Sequence, residues 1–394
     1  MRYHRLMNQQ TLPSTPLGDL DLPYFLDKIW QQQAYLIRDA YPSFVPIISG
    51  EELAGLACEE EVESRIVIED PINNKWRLLQ GPFDETSFSA LPKSHWSLLV
   101  QAVDWWLPEA QALLEDFNFL PRWRRDDLMI SYATKGGGVG PHYDHYDVFL
   151  LQASGQRRWD IGGHYNDQSP RVENSPLLQV EDWQVEQSWT LNPGDMLYIP
   201  PGVGHNGVAL DDDCMTYSIG FRAPSHAEIL CGITDLASAK LSSDQRFTDI
   251  VHSDRTSAGE IDKQTINQLS ELLHTLAEDK NTLAQWIGQN VTAPKYPEFL
   301  AEPVAVGHTT IEQLIEQGQL LKHTAGTRIA YYKAEVAGSL FVNETMVSIS
   351  EPQQPLVTRL CESHLIDLTQ VEVCEHNIKL LSELWQLGAL EVED

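Results

Sequence analysis

The chain has few cysteines, and they are not arranged as a disulfide framework or a zinc-thiolate site requires. It contains 5 cysteines in 394 residues, and no two of them are separated by only two residues. Disulfide-rich secreted domains and cysteine-rich zinc modules use closely spaced, usually even sets. The cysteine pattern therefore argues against both classes and predicts a protein of the reducing cytoplasm.

Long hydrophobic runs are also missing. No apolar segment approaches the roughly 18 residues that a membrane-spanning helix needs. The first ten residues, MRYHRLMNQQ, carry basic side chains with no apolar stretch behind them, so we expect no secretory signal. The 42% hydrophobic content and 11 tryptophans are typical of a folded globular protein.

Basic residues are scarce as well. The 27 Lys and Arg residues stand against 57 Asp and Glu residues, which gives a formal net charge of -30. No run of Lys or Arg offsets this charge, so direct binding of DNA or RNA is not expected. Two explanations of the acidity stay open, namely solubility or adaptation to salt, and electrostatic steering toward a basic partner.

The order of apolar and turn residues predicts an α+β protein. Ser49 is a candidate N-cap for a helix, and residues 95–117 carry helical periodicity. Residues 128–221 form short β-rich runs broken by Gly, Pro, Asn and Asp. That pattern is typical of a β-barrel or double-sheet jelly roll, the architecture to which cupins belong.

The strand signals stop after Pro224. Residues 225–293 predict two or three helices, one of them within 266–289, and the remaining residues alternate helices and strands as a small winged-helix-like domain would. We therefore predict three domains: a catalytic barrel (1–224), a helical segment (225–294) and a winged-helix-like domain (295–394). The last of these is too acidic, with 5 Lys/Arg against 15 Asp/Glu over residues 296–394, for a DNA-reading role.

The stretch 136–159 reads GGGVGPHYDHYDVFLLQASGQRRW and is the most informative part of the chain. His-x-Asp occurs three times in the sequence: His142/Asp144, His145/Asp147 and His252/Asp254. Chance alone gives on the order of one such pair, so the pattern alone is weak. The first two pairs would point to opposite faces of a strand, and spacing does not say which pair faces a barrel interior.

A second stretch, Asn192 to His205, is more specific. It reads NPGDMLYIPPGVGH, a turn and a short strand followed by a rigid loop that presents His205. A surface hairpin with a solvated histidine is the alternative. Together with an upstream His-x-Asp, however, it provides the two imidazoles and one carboxylate of a non-haem Fe(II) site. We therefore predict an iron-dependent oxygenase.

Two adjacent arginines, Arg157 and Arg158, are candidates for holding a co-substrate. A 2-oxoglutarate oxygenase must bind the distal carboxylate of 2-oxoglutarate, and a guanidinium does so through two parallel hydrogen bonds. Adjacent residues on a strand point in opposite directions, so only one of the two can enter a barrel. Strand parity does not choose between them.

Several longer runs carry a family resemblance. They are DLMISYATKGGGVGPHYDHYDVF (127–149), GQRRW (155–159), PGDMLYIPPGVGH (193–205), EELAGLACEEEVESR (51–65), HWSLLVQAVDWW (95–106) and TYSIGFRAPS (216–225). With these runs the chain resembles the bacterial ribosomal oxygenases. These are JmjC-type, cupin-fold enzymes that depend on Fe(II) and 2-oxoglutarate and hydroxylate an arginine of a ribosomal protein.

The resemblance implies the roles of individual residues. Fe(II) would bind His142, Asp144 and His205, and Arg157 would bind the far carboxylate of 2-oxoglutarate, with Ser218 near that co-substrate. The substrate would be a basic protein, large-subunit ribosomal protein sixteen, hydroxylated at the β-carbon of an arginine. Residues 225–293 would form a homodimer, with a helical appendage packed on its own barrel as the alternative.

Two other functions are compatible with parts of the sequence. A JmjC-type demethylase acting on methylated lysine or arginine would share the iron site and differ only in its substrate pocket. A metal-free cupin could instead serve as an acidic module that binds basic proteins. The complete set of two histidines and one aspartate argues against the second alternative.

Overall fold

The computed structural model describes residues 15–73, 75–248, 257, 259–334 and 338–393. The N-terminal stretch for which no secretory signal is expected and the pair His252/Asp254 lie outside these ranges. The chain divides into two compact units, Met1–Ala223 and Pro224–Asp394. Within the described ranges, no helix is both long enough and apolar enough to cross a membrane.

The first unit contains four helices and most of the strands of the described chain. In chain order its elements are α1 (Leu22–Lys28), β1 (Tyr35–Ile37), α2 (Gly50–Leu56), β2 (Ser64–Asp70), β3 (Lys75–Gln80), α3 (Glu85–Ser89), β4 (Trp96–Val100), α4 (Pro108–Glu115), β5 (Arg125–Ala133), β6 (Asp147–Ser154), β7 (Arg157–His164), β8 (Gln187–Leu191), β9 (Met196–Ile199), β10 (Val203–Ala209) and β11 (Cys214–Phe221).

These strands form two antiparallel sheets. The larger has the order β1-β9-β6-β11-β5-β4-β2-β3, and the smaller has the order β10-β7-β8. The sequence of β6 is almost continuously apolar because both faces of this strand are buried. Phe149 and Leu151 join the main core beside α1 and α4, whereas Val148 and Leu150 join a smaller cluster with Trp159 of the second sheet.

The sequence predicted some of these elements correctly and one wrongly. Ser49 caps α2 through a capping box with Glu52, as predicted. The helix predicted over 95–117 was wrong in its first half, because Trp96–Val100 is a strand between β2 and β5 and only Pro108–Glu115 is helical. The run WSLLV is nearly all buried, and a short apolar run of this kind has no periodicity that separates strand from helix.

The second unit begins with helices and continues as a mixed α/β domain. Its elements are α5 (His226–Ala239), α6 (Lys263–Ala277), α7 (Lys280–Val291), α8 (His308–Glu316), β12 (Leu320–His323), β13 (Ile329–Tyr332), β14 (Gly338–Val342), β15 (Thr345–Ile349), α9 (Gln354–Glu362), β16 (Leu365–Asp367), α10 (Glu375–Gln386) and β17 (Leu390–Val392). The single helix expected within 266–289 is two helices, because Asp279 caps α7 and ends the run.

Candidate metal centre

His142, Asp144 and His205 come together in the first unit. Their ligand atoms all lie within 4.8 Å of one another. The Nε2 atom of His205 lies 3.5 Å from an Asp144 carboxylate oxygen, and Nε2 of His142 lies 4.0 Å from the same oxygen. Of the two overlapping His-x-Asp pairs, the first is therefore the one that joins His205.

The backbone brings the two histidines together. His142 precedes β6 and lies in no named strand, whereas His205 belongs to β10. The N–H of each residue donates to the carbonyl of the other, at 3.0 and 2.8 Å. The strand assumed for the His-x-Asp pairs is thus absent at His142, and an isolated bridge to β10 orients it instead.

Hydrogen bonds at the far ring nitrogens orient both imidazoles. Nδ1 of His142 lies 2.9 Å from the carbonyl of Gly140, and Nδ1 of His205 lies 3.0 Å from that of Val203. A carbonyl oxygen only accepts, so each Nδ1 carries a proton, and Nε2 is the ring atom left to bind a metal on the side of Asp144. Burial and the nearby His142 lower the pKa of His205 to about 4, which keeps this imidazole neutral near pH 7.

This donor set fits Fe(II). Two neutral imidazole nitrogens and one carboxylate oxygen form the facial arrangement of non-haem iron oxygenases, which leaves positions open for other ligands. The same residues contain no thiolate and do not resemble a closed structural zinc site. His205 is almost fully buried, and Asp144 is partly open to the adjoining cavity.

Arg157 is a buried cation with unused hydrogen-bond donors. It begins β7 and is 5% exposed, and its Nε and Nη2 atoms have no hydrogen-bond partner among the described residues. Arg158 points to the other face, where its Nη2 lies 3.2 Å from an Asp160 oxygen. Burying a guanidinium with unused donors lowers the stability of the folded protein unless a ligand pairs with it. A carboxylate is suited to this, because it accepts two parallel hydrogen bonds from a guanidinium.

A cavity of about 390 Å³ joins these groups, and we call it the metal cavity. Met129, Leu150 and Ser218 occupy paired positions on β5, β6 and β11 and all three line it. Tyr146 is another lining residue, and burial together with the nearby Asp144 carboxylate raises the pKa of its hydroxyl. The structure therefore places Ser218 in the same cavity as Arg157 and the three candidate ligands.

The remaining sequence candidates lie elsewhere. Asp147 is fully buried and forms an ion pair with Arg124 at 2.9 Å, so it belongs to the core. His145 is exposed and lies 3.1 Å from Asp167. The Gly136–Gly140 loop leads into His142 and supplies the carbonyl that holds its ring.

Sequence reasoning missed the long loop between β7 and β8. Residues 165–186 of this loop contribute a row of side chains to the metal cavity: Pro176, Leu177, Leu178 and Gln179. The side-chain amide of Gln179 donates to the carbonyl of Val139 at 3.1 Å. The N–H of Val180 donates to the carbonyl of Pro141 at 3.0 Å. An irregular loop of this length is uncommon in a compact domain and usually functional, which is the signal that could have identified it.

The chain is similar to known proteins along nearly its whole length. A family model described as a JmjC domain matches residues 112–229, and one described as a ROXA-like winged helix matches residues 272–391. The ribosomal protein uL16 3-hydroxylase of Escherichia coli is 34% identical over 345 residues, which are 87% of this chain and 89% of that protein. A probable ribosomal oxygenase of Haemophilus influenzae is 40% identical over 212 residues, 53% of this chain and 52% of its own.

Solved structures show the same likeness. The ribosomal oxygenase YcfD from Escherichia coli, in complex with cobalt and 2-oxoglutarate, matches with a TM-score of 0.82 and 32% identity over 96% of this chain and 99% of that one. The predicted fold, a JmjC-type barrel with a helical segment and a winged-helix-like domain, is confirmed.

Proposed function

Because this chain belongs to the ribosomal oxygenase family of JmjC-type, 2-oxoglutarate- and Fe(II)-dependent enzymes, we propose that it hydroxylates the β-carbon of an arginine in large-subunit ribosomal protein uL16. The convergence of His142, Asp144 and His205 in one cavity with Arg157, whose Nε and Nη2 atoms lack hydrogen-bond partners among the described residues, is the observation that carries this function. A module that only binds basic proteins has no use for such a site.

We assign the three ligands to Fe(II) and Arg157 to the distal carboxylate of 2-oxoglutarate, in the cavity that Ser218 also lines. Bound Fe(II) and 2-oxoglutarate supply the oxidising chemistry, in which O₂ hydroxylates a carbon and 2-oxoglutarate becomes succinate and CO₂. The protein's own part is to hold both imidazoles in the tautomer that exposes Nε2 and to orient the co-substrate.

The substrate assignment agrees with the charge of the protein. A net charge of -30 attracts a basic ribosomal protein and speeds their encounter. The metal cavity, with a volume of about 390 Å³, lies within the range of small-ligand sites and admits one long side chain. Because ribosomal proteins are made in the cytoplasm, we place the enzyme there.

We also propose that the protein is a homodimer formed through its helical segment. Helix α6 leaves a row of apolar side chains exposed, each at least 40% open to solvent: Ile266, Leu269, Leu272 and Leu273. Residues three and four apart lie on one face of a helix, so they form a continuous apolar stripe. A second copy of the same helix would bury such a stripe.

Mass spectrometry of intact large-subunit ribosomal proteins tests the function. The proteins would be incubated with the enzyme, Fe(II) and 2-oxoglutarate, with His142→Ala as the blank. We expect one protein to gain the mass of a single oxygen atom, and only with the active enzyme. Loss of a methyl group from a methylated protein would indicate the demethylase instead, and no change despite 2-oxoglutarate turnover would contradict the ribosomal substrate.

A further inference from the structure

A second cavity lies beside the metal cavity in the first unit. Its volume is about 300 Å³, and its walls include Glu69, Trp76, Glu181 and Trp183. Gln179 lines both cavities and therefore forms part of the wall between them. We call this second cavity the acidic–aromatic pocket.

The strand geometry places the two cavities side by side. On β2, Val67 lines the metal cavity and Glu69 lines the acidic–aromatic pocket, whereas on β3 the corresponding residues are Leu78 and Trp76. Residues two apart on a strand share a face and are separated by about 7 Å. Both strands therefore run from one cavity to the next along a single face of the sheet.

The carboxylate groups of the pocket have unused acceptor atoms. The main-chain carbonyl of Glu181 accepts from the N–H of Trp183, but among the described residues neither the Glu69 nor the Glu181 carboxylate accepts a hydrogen bond or forms an ion pair within 4 Å. Burial raises the pKa of Glu69, and the charge of His95 opposes that effect. A partly desolvated carboxylate of this kind is stabilised when a cation enters beside it.

The tryptophans give the pocket rigid aromatic walls. Trp183 packs on two glycines, since a Cβ added to Gly162 or Gly204 would lie 2.7 or 2.9 Å from its Cζ3 atom. Trp183 also stacks on Tyr165, with ring centroids 6.3 Å apart. Side chains on these glycines would displace Trp183, so its orientation depends on their absence.

Trp76 is fixed by its strand. It pairs in register with Glu69 across β2 and β3, which sets the indole next to the carboxylate. Aromatic faces combined with carboxylates favour an organic cation such as guanidinium or ammonium. Indole rings offer no ligand atom to a metal ion, so a bound metal is a poor match for these walls.

We propose that the acidic–aromatic pocket binds a second cationic side chain, arginine or lysine, of the same basic substrate whose target arginine enters the metal cavity. This inference rests on the proposed function. Residues two apart in an extended peptide are also separated by about 7 Å, the spacing of Val67 and Glu69 along β2. The recognised cation is therefore two or three residues from the hydroxylated arginine.

Peptide binding tests this inference without relying on turnover. A fluorescent peptide of the substrate protein around its hydroxylated arginine would be titrated into the full-length protein loaded with Co(II) and 2-oxoglutarate. A second peptide would carry glutamine in place of every Lys and Arg within three residues of the target. Both would be measured with wild type, with Glu69→Gln/Glu181→Gln, and with the exposed control Glu60→Gln/Glu61→Gln, which changes the net charge equally.

The expected result is a coupling between pocket and peptide. The pocket variant should bind the first peptide about tenfold more weakly than wild type or control, and all three should bind the second peptide equally weakly. Equal binding of the first peptide by wild type and pocket variant would overturn the inference. Equal binding of the two peptides by wild type would overturn it as well. That comparison uses only the wild-type protein, so it does not depend on whether a variant folds.

Failure of the function itself is distinguishable. If wild type neither binds nor hydroxylates the first peptide or its parent protein, the ribosomal substrate is wrong and this inference falls with it. If wild type hydroxylates the parent protein but the pocket variant binds the first peptide as tightly as wild type does, the proposed function stands and the second subsite is refuted.

Discussion

His142 and His205 exchange two backbone hydrogen bonds, at 3.0 and 2.8 Å, and their imidazole centroids lie 4.3 Å apart. Two of the three candidate metal ligands are thus held together by main-chain atoms rather than by their side chains. Replacing one imidazole should therefore leave the surrounding strands in place. Loss of metal can then be separated from loss of fold.

The first prediction concerns metal binding. His205→Ala should reduce the affinity for Co(II) or Fe(II) by more than about a hundredfold, because it removes a ligand that is nearly fully buried and oriented through Nδ1. Titration calorimetry measures the affinity, and circular dichroism checks the fold. His145→Ala, an exposed neighbour, should bind metal as wild type does. Tight binding by His205→Ala would contradict the assigned site.

The second prediction concerns Arg157. Arg157→Met should raise the KM for 2-oxoglutarate by roughly tenfold or more, the effect of losing a charged hydrogen-bonded pair. Without ligand the same variant should be at least as stable as wild type, because it removes buried donors that lack partners. Kinetics and thermal unfolding measure the two effects. Arg158→Met should leave the KM unchanged, and an equal rise there would refute the assignment.

The third prediction concerns the buried pair Asp147 and Arg124. Asp147 accepts hydrogen bonds from Arg124, Gln31 and Tyr198, so its removal leaves the buried Arg124 guanidinium without its counter-ion. Asp147→Ala should lower the free energy of unfolding by about 3–5 kcal/mol. Urea unfolding of the metal-free protein measures it. Asp144→Ala, three residues earlier, should cost far less, and similar losses in both variants would exclude a structural role specific to Asp147.

The fourth prediction concerns pH. Burial and the neighbouring carboxylate of Asp127 raise the pKa of Asp104 from 3.8 to about 7, so the folded state binds this proton more tightly than the unfolded chain. As pH rises from about 3.8 to about 7, Asp104 therefore lowers the free energy of unfolding progressively, and above about pH 7 this loss stays constant. In Asp104→Asn, whose carbonyl can still accept from the N–H of Leu128, this cost disappears.

Urea unfolding between pH 4 and pH 8 measures the difference between Asp104→Asn and wild type. The stability of the variant relative to wild type should increase with pH and level off near the upper end of the interval. A difference that stays constant, or that decreases with pH, would show that Asp104 does not hold its proton in the folded protein.

The fifth prediction concerns the proposed dimer. Leu269→Glu/Leu273→Glu places two charges on the exposed apolar stripe of α6 and should convert the protein to a monomer in sedimentation experiments. Gln264→Glu/Asn267→Glu adds the same charge to exposed polar positions of the same helix and should remain dimeric. A wild-type protein that sediments as a monomer would refute the dimer directly.

The sequence by itself determined the chemistry of this protein. Ligand type depends on residue identity, and the spacing of His142, Asp144 and His205 within recognisable runs was enough to predict an Fe(II) site and the family. The capped helix α2 was equally predictable, because a capping box is a local pattern. The strand at Trp96–Val100 was not, because its conformation depends on pairing with β2 and β5.

Only the tertiary structure showed the physical reason why these candidates act together. Strand parity alone left Arg157 and Arg158 equivalent, and only the family resemblance favoured Arg157. The pairing of β7 with β10 and β8 turns Arg157 inward, where its Nε and Nη2 atoms have no hydrogen-bond partner among the described residues. The contribution of the loop at 165–186, and the pocket between Glu69 and Trp183, join segments that are distant in the chain. Such contacts arise from strand order and packing, which no local pattern of residues encodes.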